Sequence, residues 1–310
     1  MTPLEHEDTL RTLLRTVAET GYVFVATTPE THRRVNARPG NEEARDLRGI
    51  FGWSRPFQAE IAGETFGLLR DADALENVGP LWRSRLRIAT LGGRQYFHSA
   101  FPTNEADAVF FGPDTYRFVR SALAAIPRRM FPRAVDLGCG SGAGGLSVAA
   151  EHEIGELWLS DINRSALTLA RVNAACAGQS PRLIESDLFS ALDGSFDLIL
   201  ANPPYLADPA RRTYRHGGGD LGLELGLRIV RDGISRLARN GTLFVYTGAP
   251  VVRGIDRFRE AAEHIVPHGR FTFEYSEIDP DVFGEELDRP AYREVERIAA
   301  VALKITDQRT

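Results

Sequence analysis

Between residues 134 and 247, short apolar runs alternate with segments of helical period, and this alternation constrains the chain more than any other feature. The runs at 134–137, 156–160, 181–185, 196–201 and 242–247 read as strands, and 144–151, 164–177 and 222–237 as helices. Strands joined through helices run parallel, because the crossover brings the chain back to the same end of the sheet. The runs are nearly unbroken in their apolarity, as strands covered on both faces are. A parallel sheet with helices on both faces is therefore expected. Residues 271–278 and 298–305 read as two further strands, and Phe110-Phe-Gly-Pro-Asp-Thr-Tyr116 leads into a helix through Ala125.

The first 105 residues show a different pattern. Leu10, Leu13, Leu14 and Val17 recur at helical spacing, and Gly21 closes that helix. Residues 22–27 read as a short strand and 41–53 as a second helix. Residues 86–90 and 95–100 flank Leu91-Gly92-Gly93-Arg94, the pattern of a β-hairpin. The division is thus a small α/β module, winged-helix-like, over 1–105 and a catalytic domain over 106–310. The module lacks a concentrated basic helix, so its expected role is to cover the catalytic domain and shape a substrate entrance rather than to read a duplex. The net charge of −5 and pI of about 5.9 point the same way, against free binding to nucleic acid. Cys139 and Cys176 are the only cysteines, which excludes a disulfide framework, and the seven histidines are scattered, so no metal is expected. The N-terminal residues lack a basic segment followed by an apolar one, and no stretch is long enough to span a bilayer. The expectation is a cytoplasmic protein without a membrane partner, with a homodimer as one possible assembly.

Three strand ends carry the chemistry of nucleoside binding, and a fourth carries that of the acceptor. Asp136-Leu-Gly138-Cys-Gly140-Ser-Gly142 sits where a strand turns sharply into a helix, and a side chain there would block a ligand from the backbone. Gly138-x-Gly140-x-x-Ala143 also fits a dinucleotide fingerprint, so a nicotinamide enzyme competes at this point. Asp161, about 21 positions after Gly140, ends the next run, where it either accepts from both ribose hydroxyls of a nucleoside or caps the following helix. Asp187 ends the third run, where an acid accepts from an adenine amino group while the N–H of Leu188 faces the ring. Asn202-Pro203-Pro204-Tyr205 ends the fourth. A side-chain amide oxygen and a proline carbonyl at a strand end form a cup of acceptors, and Tyr205 adds a flat wall. Such a cup suits a planar group bearing N–H, for which a dehydrogenase has no use.

The ordered set formed by Gly112-Pro-Asp-Thr115, Asp136 to Ala143, Ser186-Asp-Leu-Phe-Ser-Ala191 and Phe196 to Tyr205 resembles the class I methyltransferases that use S-adenosylmethionine (SAM). More narrowly, it resembles the enzymes that methylate a glutamine side-chain amide in protein release factors. The resemblance implies a Rossmann-like, mostly parallel seven-stranded sheet whose last strand is antiparallel. It implies SAM as cofactor and S-adenosylhomocysteine as product, held by Thr115, Asp136, Gly138, Cys139, Gly140, Gly142, Asp161, Asp187, Leu188 and Asn202. It gives the Asn202 oxygen and Pro203 carbonyl the grip on the acceptor N–H groups, and it sets Tyr205, Pro204 and Phe111 against the acceptor. Packing competes as the role of Thr115 and Phe111, a rigid turn as that of Pro203-Pro204, and an aromatic plug as that of Tyr205.

The implied reaction is N-methylation of a planar or amide-like nitrogen in a small molecule or a glutamine-type protein side chain. The alternatives are methylation of an RNA or DNA base, or attack within SAM itself. The chain departs from the family's pattern at Tyr116, where an acid is usual, and at Arg212-Thr-Tyr-Arg-His216, where a Glu-Pro approach is missing. Residues 279–290 form an insertion before the last strand, and the family's helical N-terminal domain is not recognisable. Arg211, Arg212, Arg215 and His216 read as a solvated loop or as a site for an acidic acceptor, with Gly217-Gly218-Gly219 as the hinge of a lid. Glu285, Glu286 and Asp288 read as an exposed acidic loop or an attraction for a cationic acceptor. Cys139 reads as a small buried residue rather than a nucleophile.

Overall fold

The computed structural model describes residues 3–101, 103, 105–210, 212 and 214–309, the first three by backbone alone. Its helices are α1 (Pro3–Glu19), α2 (Pro29–Asn36), α3 (Ala59–Ala62), α4 (Thr65–Asp71), α5 (Pro113–Ala125), α6 (Ala143–Ala149), α7 (Arg164–Cys176), α8 (Glu224–Ser235) and α9 (Arg257–Ile265). Its strands are β1 (Leu75–Val78), β2 (Leu81–Ser84), β3 (Leu86–Leu91), β4 (Arg94–Ser99), β5 (Met130–Leu137), β6 (Glu153–Asp161), β7 (Arg182–Glu185), β8 (Phe196–Ala201), β9 (Leu237–Val252), β10 (Ile255–Asp256), β11 (Phe271–Asp279) and β12 (Arg297–Asp307). The chain divides into two compact units. One comprises Met1–Tyr116, Gly140–Ser147 and Asn163–Pro181, and the other Arg117–Cys139, Val148–Ile162 and Arg182–Thr310. Among the described residues no helix is long and apolar enough to cross a membrane.

In the first unit, Leu10, Leu13, Leu14 and Val17 of α1 form one buried stripe, packed in a cluster with Ala166, Leu169 and Val172 of α7. β3 and β4 pair from Leu86↔Ser99 to Leu91↔Arg94, and Gly92 and Gly93 both take positive φ, +57° and +74°. That is the primed turn whose twist matches a two-residue hairpin. Two expectations fail for physical reasons. Residues 22–27 do alternate, with Tyr22, Phe24 and Ala26 inside and Val23 and Val25 exposed. They form no strand: the Thr90 N–H donates to Phe24 O at 2.8 Å, and side chains take the neighbouring positions of a ladder. The Phe24 N–H donates to Thr90 Oγ1 at 3.2 Å, and Gln95 Nε2 donates to Tyr22 O at 2.6 Å. The expected helix over 41–53 shrinks to one π-helical turn, Arg48–Gly52. Before it, the Ala44 N–H leaves the local ladder for Pro56 O at 2.8 Å. Gly52 lies so close to Phe24 that a Cβ there would sit 2.3 Å from the ring. Tertiary packing overrides the period of this segment.

Asn173 on α7 binds the hairpin. It is buried, accepts from the Phe97 N–H at 2.9 Å, and donates to Phe97 O at 3.1 Å and Ser141 O at 2.9 Å. Asn173→Ala leaves these buried groups without partners, which costs at least ~2 kcal/mol. Urea denaturation is expected to show that loss, and a change below about 0.5 kcal/mol, the usual range for uninvolved positions, would refute the assignment.

The second unit holds the large sheet, ordered β11-β12-β9-β8-β5-β6-β7, with β10 added beside β9. β5 pairs in parallel with β6 and β8, as do β6 with β7 and β8 with β9, while β12 is antiparallel to β9 and β11. This is the expected seven-stranded, mostly parallel sheet with an antiparallel last strand. Phe196, Ile199, Leu243, Val245, Val301 and Leu303 form one buried face with Ile229 and Val230 of α8 and Phe258 and Ala262 of α9. Phe118 of α5 stacks on Phe244 at 6.2 Å. The inserted segment folds into two 3-10 turns, Gly284–Asp288 and Pro290–Tyr292. From β5 the chain goes to β6 and β7 on one side, then returns to lay β8 on the other. The order therefore reverses between β5 and β8, and in open α/β sheets ligands bind at the carboxyl ends of strands flanking such a reversal.

Candidate active site at the carboxyl ends of β5 to β8

Register brings the sequence-identified strand ends of the second unit side by side. Leu137 pairs with Ser160 on one side and Ala201 on the other, and Asp161 pairs with Glu185. Gly138 thus begins its turn directly beside Asn202, with Asp161 on the other flank and Asp187 beyond it. Neighbouring strands are about 4.8 Å apart, so the row from β8 to β7 spans roughly 14 Å.

The turn after β5 depends on glycine for its backbone. Gly138 has φ +64°, and a Cβ built on it meets nothing within 4 Å. Space is open above the turn, as a ligand approaching the backbone requires. The Cys139 N–H ties the turn to Ser160 O at 3.0 Å. Asp136 and Asp161 are both buried. Burial pushes the Cys139 thiol well up, and the carboxylates of Asp161 and Asp136 push it further. Cys139 stays a thiol, which removes it as a nucleophile. Asp161 does not cap α7. Asn163 does, accepting from the N–H groups of Ser165 and Ala166 at 2.9 and 3.4 Å.

The end of β7 is held by Ser186, whose N–H donates to Asp161 O at 3.0 Å and whose Oγ donates to Leu188 O at 2.9 Å. Leu188 is buried with φ +50°, an uncommon conformation for a branched side chain and one concentrated at functional positions. The Asp187 carboxylate accepts from Arg228 at 3.0 Å. At the end of β8, Asn202 and Pro204 are half-buried and Pro203 buried. Tyr205 is 7% exposed. Its ring lies edge-on to Phe283 at 5.8 Å, and against Gly248, where a Cβ would be 2.2 Å from the ring.

The loop after Tyr205 is fixed by buried charge. Asp208 accepts from the backbone N–H of Arg212 at 3.0 Å and from its guanidinium at 2.9 and 2.8 Å. Those bonds hold the Asp208 carboxyl well below the usual carboxylate range. Arg215 pairs with Glu286 of the insertion, Arg289 with Glu286 at 2.8 Å, and the Ala207 N–H donates to Tyr292 Oη at 2.7 Å. Arg212, Arg215 and Glu286 are therefore neither a solvated loop nor binding groups waiting for a charged acceptor; Arg211 and Thr213 lie outside the described residues. Gly217 is no free hinge either. A Cβ there would sit 2.7 Å from Pro204 O, and the Leu225 N–H holds the Gly217 carbonyl at 2.7 Å. The spacing of Asp208 and Arg212, four residues apart, could have signalled their pair in the sequence; the contacts with Gly248 and Phe283 left no such signal.

Thr115, Phe111, Gly140 and Gly142 belong to the first unit. Thr115 Oγ1 accepts from the Gly112 N–H at 3.3 Å, and Phe111 stacks on His98 at 5.2 Å. Gly140 and Gly142 have φ +54° and +78°. Tyr116, at the family's acidic position, accepts from the Ala26 N–H at 2.9 Å through its hydroxyl.

Because the Asp208 pKa is depressed on folding, its stabilisation is complete above the ordinary carboxylate range and is lost as pH falls through about 4 and below. Asp208→Asn is expected to flatten the acid limb of a stability-against-pH curve; an unchanged limb would contradict the assignment. Gly248→Ala drives a methyl into the Tyr205 ring and is expected to cost about 1–3 kcal/mol in denaturation. No loss would show that the ring moves freely.

The family described as Methyltransferase small domain matches residues 120–251. A release factor glutamine methyltransferase of Deinococcus radiodurans is 30% identical over 209 residues, 64% of this chain and 75% of that protein. One from Bordetella pertussis is 36% identical over 153 residues, 48% of this chain and 55% of that protein. The chain thus spans three quarters of the first relative and little more than half of the second. A crystal structure from Pyrococcus horikoshii shares the fold at a TM-score of 0.50 and 14% identity, covering 81% of this chain and 82% of that one. The parallel strand order, the glycine turn beside Asn202 and the extent of the Deinococcus match lead to one conclusion: the chain belongs to the release factor glutamine methyltransferase family, and is a SAM-dependent methyltransferase.

Proposed function

We propose that the protein transfers the methyl group of SAM to the side-chain amide nitrogen of a glutamine in a protein acceptor, releasing S-adenosylhomocysteine. The observation that carries this reading is the adjacency of Asn202-Pro203-Pro204-Tyr205 to the Gly138 turn across the β5–β8 reversal. The names of the relatives support glutamine as the acceptor. The residues fit the cofactor: an open glycine turn takes its backbone-facing part, the buried Asp161 accepts from ribose hydroxyls, and the Leu188 turn borders adenine. Asp136 and the Cys139 backbone line the turn. When bound, SAM supplies a methyl group already activated on a sulfonium.

The chain's task is to orient the nucleophile. The Asn202 side-chain oxygen and the Pro203 carbonyl accept the acceptor's amide N–H groups, which aims the nitrogen and favours the positive charge that grows on it. Orientation of this kind supplies roughly 7–11 kcal/mol of barrier reduction. The carbon–nitrogen bond forms as carbon–sulfur breaks, and the nitrogen's proton leaves to water. Tyr205, backed by Gly248, and Pro204 wall the acceptor.

Incubation with labelled SAM and a release factor, followed by peptide mass spectrometry, is expected to locate one methyl on a glutamine. Label confined to RNA or to SAM-derived small molecules would overturn the proposal. Asn202→Ala is expected to lower turnover at least ~100-fold with SAM affinity nearly unchanged. Asp161→Ala is expected to weaken SAM binding by about ten-fold or more. The reverse pattern would exchange the two roles.

A further inference from the structure

The first unit buries a cation that no acid among the described residues neutralises. Arg87 on β3 is 5% exposed; its Nε donates to Gly52 O at 2.9 Å, and its Nη2 has no hydrogen-bond partner. Among the described residues no carboxylate pairs with it, and although burial lowers its pKa to about 10, it remains charged at neutral pH. His32 lies within the field of both Arg87 and Arg55. Burial first, and then those charges, hold it at about 4, so its ring is neutral. The Asn36 amide, which donates to Trp53 O at 2.8 Å, also faces His32 Nδ1 at 3.5 Å. The Trp53 backbone also bonds the His32 ring. The Nε2 atom is buried and unpartnered, in a residue only 2% exposed.

His32 lines a pocket of about 360 Å3 together with Asn36, Glu42, Arg55, Arg83 and Phe101. The Arg55 guanidinium is held by Asn36 Oδ1 at 2.8 Å and lies over the Trp53 ring at 5.7 Å; the charges of Asp46 and Glu42 act on it, but among the described residues it forms no ion pair. Arg83 bonds Glu76 through Nη1 at 2.9 Å, but its Nε is buried without an acceptor. Glu42, the acid of the lining, accepts from the Gly40 N–H at 3.1 Å. Donors from two separate segments, the one after the π-helical turn and β2, thus belong to residues sharing one pocket, with the unneutralised Arg87 acting on its His32 wall. Unsatisfied buried donors and an unpaired buried cation destabilise a fold unless something accepts from them.

We propose that this pocket binds an oxyanion, the carboxylate or phosphate group of a ligand, through Arg55 and Arg83, with the Arg87 charge favouring the anion. The site is independent of the methyl-transfer reading.

The test titrates the full chain with inorganic phosphate, and separately with acetate, against chloride at equal ionic strength, following thermal stability and binding heat. Saturable stabilisation by one of the two anions beyond chloride is expected, and the anion that acts identifies the group. Arg55→Gln and Arg83→Gln are each expected to weaken it by about ten-fold or more. Arg87→Met is expected to be no less stable than wild type in chloride while losing affinity for the anion. An absence of saturable stabilisation by either anion, or variants that bind as wild type does, would overturn the site. SAM binding by each variant checks that it is folded. Failure of wild type to bind SAM would count against the methyl-transfer reading and leave the anion result standing.

Discussion

The reversal of strand order between β5 and β8 is the constraint on which the rest of the second unit depends. Two parallel strands that continue to opposite sides leave a crevice where their connections part. Leu137 and Ala201 are paired neighbours at the lip of that crevice, so backbone hydrogen bonding sets the two departing segments side by side. Leu137 leads into a glycine turn with open space above it; Ala201 leads into an amide and a proline carbonyl. A methyltransferase needs a donor site beside an acceptor site, and the sheet topology sets these two segments side by side before any side chain is considered.

The insertion bears on the same crevice through Tyr205. Its ring lies between Gly248 of β9 and Phe283, while Asp208, Arg212, Arg215, Glu286 and Arg289 tie the adjoining loop to the inserted turns. Carboxylates as buried as Asp208 and Glu286, each 1% exposed, are stable only because guanidinium groups meet them. The departures from the family's pattern that stand out in the sequence, at 212–216 and 279–290, are thus two halves of one internal contact.

Much of the sheet was legible because buried parallel strands leave near-continuous apolar runs. The run 196–201 coincides with β8, and 271–278 and 298–305 fall within β11 and β12. The hairpin around Gly92 and Gly93 was legible through its turn chemistry. The segment 41–53 was not, because a helical period cannot reveal that Gly52 is needed flush against Phe24 or that Ala44 bonds Pro56. The short helices α2, α3 and α4 escaped because one or two turns carry little periodicity. At the site, Asp136, Gly138, Asp161, Asp187 and Asn202 were legible as strand ends. The partner of Arg215 was not, since Glu286 lies 71 residues away and no local pattern joins them.

A crystal structure of the chain with S-adenosylhomocysteine tests the central claim most directly. The account predicts adenosine in the crevice, ribose hydroxyls on Asp161, adenine beside Leu188 and the sulfur facing the Asn202 oxygen and Pro203 carbonyl. Adenosine bound away from the Gly138 turn, or those two oxygens directed away from the sulfur, would contradict it.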